Sequence, residues 1–205
     1  MKDFDRQCLA EIRERLVGAG EWQYARGRID APVFRSAGLA ASRLLDLVPA
    51  DWRLLVMRDR SLRALRELLL ERDRPLLIPD QPGELVAQVP RSALFDPEGK
   101  RHVTALTISP LPPGTVRYDG PLQAVVVACL AFDPAQTRLY SFDQERTAVI
   151  LEQLRERGAL AEDTPVIALA HDLQQVSGWS DSALGFVEAQ AVVTPTRVVT
   201  LGQRF

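Results

Sequence analysis

Leu122–Leu130 reads LQAVVVACL, and Thr164–Ala170 reads TPVIALA. Both are continuous apolar runs of strand length, rich in β-branched residues. Such runs fit strands covered on both faces, the condition met in parallel sheets. Between them, Gln144–Arg157 carries Ala148, Leu151 and Leu154 at helical spacing, and Gly158 stands where a helix C-cap belongs. Strand, helix and buried strand in succession predict a layered α/β fold with right-handed crossovers. The expected class is three-layer α/β, with a mostly parallel sheet and helices on both faces.

The same pattern extends toward the N-terminus. Residues 5–17 predict a helix with Cys8, Leu9, Ile12 and Leu16 on one face. Residues 36–47 predict a second, with Leu39, Leu44 and Leu47 apolar and Pro49 just beyond it. Arg53–Met57 (RLLVM) is a short strand. Ser61–Arg72 is a helix with Leu62, Leu65, Leu68 and Leu69 inward and Arg63, Arg66 and Glu67 toward water. Leu76–Ile78 is a strand stopped by Pro79, and Ala189–Val193 and Arg197–Thr200 are late strands. Residues 79–121 hold eight of the 14 prolines and one plausible strand, His102–Ser109. They read as a loop-rich excursion within one domain, 1–205, because they are not polar enough for a disordered tether.

Composition narrows the function. Net charge is −2, without the basic excess of a nucleic-acid-binding face. Lys2 and Lys100 are the only lysines among 25 basic residues, which reflects compositional bias. Cys8 and Cys129 lie far apart within apolar patterns, so they read as small core residues rather than a disulfide or metal pair. Leu122–Phe132 is the longest apolar run, well short of the roughly 20 residues of a membrane helix. With a charged, amphipathic N-terminus, these features predict a cytoplasmic protein without membrane or nucleic-acid partners.

In layered α/β folds, ligands bind beyond the carboxyl ends of the strands. That rule nominates Pro79 and Asp80, Ala131–Phe142, His171–Gln174 and Thr194–Arg197. His171 and Asp172 follow a buried strand, where an imidazole can act as acid or base or hold a polar ligand edge. Their structural alternative is a turn capped by Asp172, with His171 filling the rim of the sheet. Thr194 and Thr196 flank Pro195 in what reads as a turn. No nucleophile elbow, metal-ligand cluster or Walker-type loop is present.

Five segments, in order, carry a resemblance. APVFRSAGLAASRLLDL (31–47), RPLLIPD (74–80), VVVACLAFDPAQTRL (125–139), TPVIALAHDLQQV (164–176) and VVTPTRVV (192–199) are similar to 5-formyltetrahydrofolate cyclo-ligases. The likeness is to the divergent branch of methenyltetrahydrofolate synthetase domain-containing proteins. The resemblance implies a cleft for ATP, magnesium and a folate. In the family, the formyl oxygen attacks the γ-phosphate and N10 then closes the ring, chemistry that is mostly positioning and charge stabilisation.

The chain departs from that pattern at the phosphate loop. The family arginine is retained as Arg138, but the alternating glycines that follow it are absent: Leu139 to Thr147 reads LYSFDQERT. Glycine serves there because backbone N–H groups must approach phosphate closely. Tyr140, Phe142 and Gln144 occupy the loop, and Glu145 and Thr147 stand where the family carries tyrosine and aspartate. Ser141 with Gln144 fits a capping box, and Asp143 and Glu145 would fill the positive helix start. At the N-terminus, Lys2 and Arg6 have the family's basic spacing, whereas EIRERL (11–16) matches the arginine turn; Arg13 and Arg15 otherwise read as solvated.

Taken with the resemblance, this implies a cyclo-ligase-like protein in a small-molecule-binding or regulatory role, with ligand-binding Arg138, His171 and Asp172, no metal ligands, and a small heterocyclic or anionic ligand. ATP and magnesium, the family's cofactors, are not expected to bind in the family manner. The rival readings are an active ATP-dependent enzyme, altered chemistry in the same cleft, or an interaction protein exposing Tyr140, Phe142 and Trp179.

Overall fold

The computed structural model describes residues 3–23, 31–80, 85–95, 111–141, 144–178 and 186–201. Its centre is the parallel set of strands β1 (Leu54–Val56), β2 (Leu76–Pro79), β5 (Ala124–Ala128), β8 (Val166–Leu169) and β10 (Ala191–Val193). Three antiparallel strands extend the edges: β3 (Val86–Val89) and β4 (Val116–Tyr118) beyond β2, and β11 (Val198–Thr200) beyond β10. The eight strands run in the order β11-β10-β8-β5-β1-β2-β3-β4. A second sheet of three strands, β6 (Ala131–Asp133), β7 (Arg138–Tyr140) and β9 (Phe186–Glu188), is antiparallel, with β7 in the middle.

Burial explains the order. β5 pairs with β1 on one side and β8 on the other, and Ala124–Val127 are at most 3% exposed. The central β strands β1 and β8 are buried at every residue. The outermost strands β4 and β11 are largely exposed, as edges can be.

Helices cover both faces. Helix α2 (Ala37–Leu47) packs against α3 (Arg63–Glu71), and the two lie over β10, β8 and β2. The chain steps from β1 through α3 to β2 in one direction. It steps from β5 through α4 (Gln144–Glu156) to β8 in the other. Right-handed crossovers in opposite directions put α4 on the opposite face from α3, which makes the fold three-layer α/β. The steps diverge between β1 and β5, the topological switch point. Helix α1 (Asp3–Gly18) buries Cys8, Ile12 and Leu16, and packs against the short 3-10 turn Asp172–Gln174. No described helix is long and apolar enough to cross a membrane.

Several local expectations change. Residues 79–121 hold β3 and β4 rather than a single strand; His102–Ser109 lies outside the described residues. Pro90 and Gly114 border these strands without interrupting them. Ala131–Phe142 is largely the β6–β7 hairpin rather than a ligand loop. On α2, the buried face is Ala40, Ala41, Leu44 and Leu45, leaving Leu39 and Leu47 exposed. On α4, Ile150, Leu151 and Leu154 are buried and Ala148 is exposed. Gly158 does close α4 with φ +70°, the left-handed conformation of a helix C-terminus.

Arg66 is the largest departure. It was expected to face water but is 0% exposed. Its guanidinium donates to the Asp59 carbonyl in the turn after β1, so burial is compensated by a hydrogen bond to a backbone acceptor. Burial pulls its pKa down to about 10, against the opposing pull of Asp59 and Glu67. Asp59 in turn caps the 3-10 turn Arg60–Leu62, accepting from the Ser61 N–H at 2.7 Å and the Ser61 hydroxyl at 2.6 Å. Arg66→Ala should cost about 3 kcal/mol, from the cavity and the unpaired carbonyl. Arg63→Ala on the exposed face should change stability by less than about 0.5 kcal/mol. Urea unfolding of the two variants checks this, and equal effects would place Arg66 in water.

Candidate functional site

The carboxyl ends of β8 and β10 converge on a polar cluster. β8 runs out at Leu169, and the chain turns at His171, the N-cap of the 3-10 turn Asp172–Gln174. His171 Nδ1 accepts from the Leu173 N–H at 3.1 Å. An accepting Nδ1 carries no proton in this arrangement, so the neutral ring holds its proton on Nε2. Nε2 faces Glu21 Oε2 at 3.9 Å, and the ring stands edge-to-face on the buried Phe34, centroids 5.4 Å apart. The imidazole is 12% exposed.

Glu21 arrives from the far end of the chain. Gly20, at φ +71°, closes α1, and residues 21–23 then pair antiparallel with 33–35: Gln23 N–H to the Val33 carbonyl, Arg35 N–H to the Glu21 carbonyl, both 2.9 Å. This places the Glu21 carboxylate beside His171. Its Oε2 accepts from the Ser36 N–H at 2.9 Å and the Ser36 hydroxyl at 2.8 Å. Burial works to raise the Glu21 carboxyl. The Ser36 hydrogen bonds, with His171 and Arg35, outweigh it and hold the group below the ordinary glutamate value. Among the described residues nothing donates to Glu21 Oε1.

Asp172 faces the β10–β11 turn. Its Oδ1 accepts from Thr196 Oγ1 at 2.8 Å, Thr194 Oγ1 at 2.9 Å and Arg197 Nε at 3.1 Å. The Thr194 hydroxyl also receives the Arg197 N–H at 3.1 Å, so the turn is built around this side chain. Burial raises the Asp172 carboxyl, but the two threonines, Arg197 and His171 bring it below the usual aspartate range. Its second oxygen, Oδ2, is buried with no hydrogen-bond partner among the described residues. Arg197 continues to Gln175 Oε1 at 2.7 Å.

Three residues hold this edge together. Gln174 is 1% exposed. Its Oε1 accepts from the His171 N–H at 2.7 Å, and its Nε2 donates to the carbonyls of Cys129 and Leu130 at 2.8 and 3.0 Å. Arg15, expected to be solvated, donates from α1 to the carbonyls of Leu173 and Gln175 while pairing with Glu11. Arg13 lies over the Trp22 ring at 5.6 Å. Lys2 and the Arg6 side chain lie outside the described residues.

His171 and Asp172 therefore stand at one site, with His171 rather than Asp172 capping the turn. Arg138 belongs to a different sheet. It pairs with Asp133 and Glu188 in the central strand β7, and its guanidinium reaches Gln136 Oε1 at 3.4 Å. Tyr140 is buried at the end of the same strand, its hydroxyl 3.2 Å from Gln136 Oε1. Burial and then Asp133 raise its phenol above the ordinary value, with Arg138 opposing. Thr147 is half-buried in the first turns of α4. Phe142, Asp143, Trp179 and the side chains of Gln144 and Glu145 lie outside the described residues, so the capping box is described only at Ser141.

Sequence reasoning missed Glu21, Ser36 and the Arg58–Ser61 turn. Only the last had a usable signal, since it follows β1 and the carboxyl-end rule applies to it directly. Asp59 there lies near Cys129. Burial, then that charge, push the Cys129 thiol up, so it stays protonated and inert.

The site makes a pH prediction. Asp172 and Glu21 both have depressed folded values, so each stabilises the fold above its unfolded pKa, about 4. That stability is lost as pH falls through the lower folded values. Asp172→Asn should cost about 2 kcal/mol at pH 7, the scale of hydrogen bonds to a charged group, and should flatten the fall in stability below pH 4. Chemical denaturation from pH 7 to 2.5 measures both; an unchanged slope would show that Asp172 is not held as drawn. The chain matches no protein-family model and no curated protein.

Proposed function

We propose that this is a divergent cyclo-ligase-like protein that binds a small heterocyclic or anionic ligand at the carboxyl edge of its sheet. It does not close the 5-formyltetrahydrofolate ring with ATP. The observation that carries this reading is the state of the segment from Arg138 to Thr147. Arg138–Tyr140 is the middle strand of three, its backbone groups directed to β6 and β9, and the Leu130 N–H takes the Tyr140 carbonyl at 2.7 Å. Leu139 to Thr147 also holds no glycine, the residue that lets backbone N–H groups approach phosphate closely, which argues against a family-type phosphate cradle in this segment.

The ligand half rests on complementary groups at the other end of the edge. His171 offers Nε2–H as a donor, and Glu21, whose Oε2 lies 3.9 Å from that nitrogen, has in Oε1 an acceptor that receives no donor among the described residues. A donor next to an acceptor matches an amide-type edge, N–H beside C=O, as found in many heterocycles. Arg35 and Arg197, adjacent and exposed, suit an anionic substituent.

With 5-formyltetrahydrofolate, ATP and magnesium, absorbance of the methenyl product should stay flat; family-like turnover would overturn the first half. Pterin, which carries an amide-type edge, should shift the amide resonances of Glu21, Ser36 and His171, and Glu21→Gln should remove the effect. Shifts confined elsewhere, or none, would overturn the second. Tyr140→Gly should cost about 3–5 kcal/mol without conferring ATP binding, because it opens a core cavity rather than a phosphate site.

A further inference from the structure

The cap of the turn after β8 is a titratable ring used as an acceptor. His171 Nδ1 takes the Leu173 N–H at 3.1 Å. The usual N-cap side chains Ser, Thr and Asn accept through an oxygen that does not titrate. An imidazole nitrogen accepts only while it carries no proton. Protonation therefore reverses the bond. With a hydrogen on each nitrogen, Nδ1–H meets the Leu173 N–H donor to donor, and turning the ring over brings the other N–H to the same place. The rest of the turn does not need the ring. The Gln174 N–H reaches the His171 carbonyl at 2.9 Å, the Gln175 N–H the Asp172 carbonyl at 3.2 Å, and the His171 N–H the Gln174 side chain at 2.7 Å. The ring can leave while the turn stays.

Its surroundings set where a charged ring goes. It is 12% exposed, with the buried Phe34 edge-to-face on one side. Among the described residues, the charged groups around it come from four places. Glu21 and Arg35 belong to the paired segments 21–23 and 33–35, and Arg15 with its partner Glu11 to α1. Asp172 is in the turn itself, and Arg197 in the β10–β11 turn. Arg15 is engaged by Glu11 and by the Leu173 and Gln175 carbonyls, and Asp172 Oδ1 by two threonines and Arg197. Glu21 is the carboxylate that Nε2 faces, with Oε2 at 3.9 Å. A charge-assisted N–H···O bond of about 2.8 Å needs a swing of only about 1 Å.

We infer that protonation of His171 releases the Leu173 N–H and closes the imidazolium onto Glu21, which makes the carboxyl edge a pH-operated latch. A neutral ring leaves its Nε2–H donor open to a ligand; a charged ring gives it to Glu21. The latch stands on ring geometry, and its effect on binding rests on the function proposed above. The test is made without ligand, so the two fail separately.

Imidazole is the side chain whose ordinary titration falls between pH 8 and pH 5. Glu21 and Asp172, both held below the ordinary carboxyl range by their hydrogen bonds, stay ionised over that interval. Nitrogen shifts of His171 in the full chain, assigned with His102→Gln, follow its protonation. As the second proton binds, the protection factor of the Leu173 amide should fall about tenfold, the scale of one lost hydrogen bond. In crystals at pH 5 the Nε2–Oε2 separation should be below about 3 Å. His171→Asn keeps a cap acceptor that does not titrate, and should hold Leu173 protection constant from pH 8 to pH 5. Four results would overturn the latch: a Leu173 amide still protected beside a doubly protonated ring, the same loss in His171→Asn, a separation still near 3.9 Å at pH 5, or a ring still neutral at pH 5.

Discussion

One buried amide joins the parts of the carboxyl edge. Gln174 bonds at the same time to the backbone of His171 and to the carbonyls of Cys129 and Leu130, where β5 gives way to the second sheet. Those two carbonyls leave the main sheet's pairing just where β5 ends, and buried carbonyls need donors. Gln174 supplies both from one nitrogen. The position of the β6–β7 hairpin, the orientation of the His171 ring and the anchoring of α1 through Arg15 all follow from where this turn sits. The Val176 N–H to Phe132 carbonyl bond, 2.9 Å, continues the same seam.

A consequence is that the acidic and imidazole groups of the edge are held by neighbouring turns and side chains, not by one another. Glu21 is fixed by Ser36, His171 by the Leu173 N–H, and Asp172 by the β10–β11 turn. Groups whose rotamers are set in this way need little reorganisation to meet a ligand, the condition for binding with small entropic loss. Asp133 has the same character one layer away. It is 0% exposed, and its carboxylate takes the N–H groups of Ala135, Gln136 and Gly178, so it closes the hairpin rather than offering a charge.

The sheet's parallel centre was legible in the sequence because burial on both faces leaves a periodicity-free apolar run, as at Leu122–Leu130. Its antiparallel edges were not. Val116–Tyr118 is too exposed and too short to stand out, and β3 sits among prolines that border it without entering it. Arg66 was misjudged because its partner is a backbone carbonyl seven residues earlier, and backbone acceptors have no signature in sequence. The same holds for the site. His171 and Asp172 could be found because they follow a buried strand, whereas Glu21 and Ser36 reach the edge by a local pairing of 21–23 with 33–35 that no pattern announces. Tyr140 read as a loop residue because a family loop was expected after Arg138; its burial in β7 shows a strand built from the same letters.

The carboxyl edge is preorganised around a histidine with a single defined tautomer. Long-range proton–nitrogen correlation spectra of the nitrogen-labelled protein at pH 8 measure this directly, since His171 and His102 are the only histidines and His102→Gln assigns the signals. His171 should show a protonated Nε2 and an unprotonated Nδ1, and Gln174→Ala should turn that single state into a mixture. A proton on Nδ1 in the native protein, or an unaltered tautomer in the variant, would contradict the account.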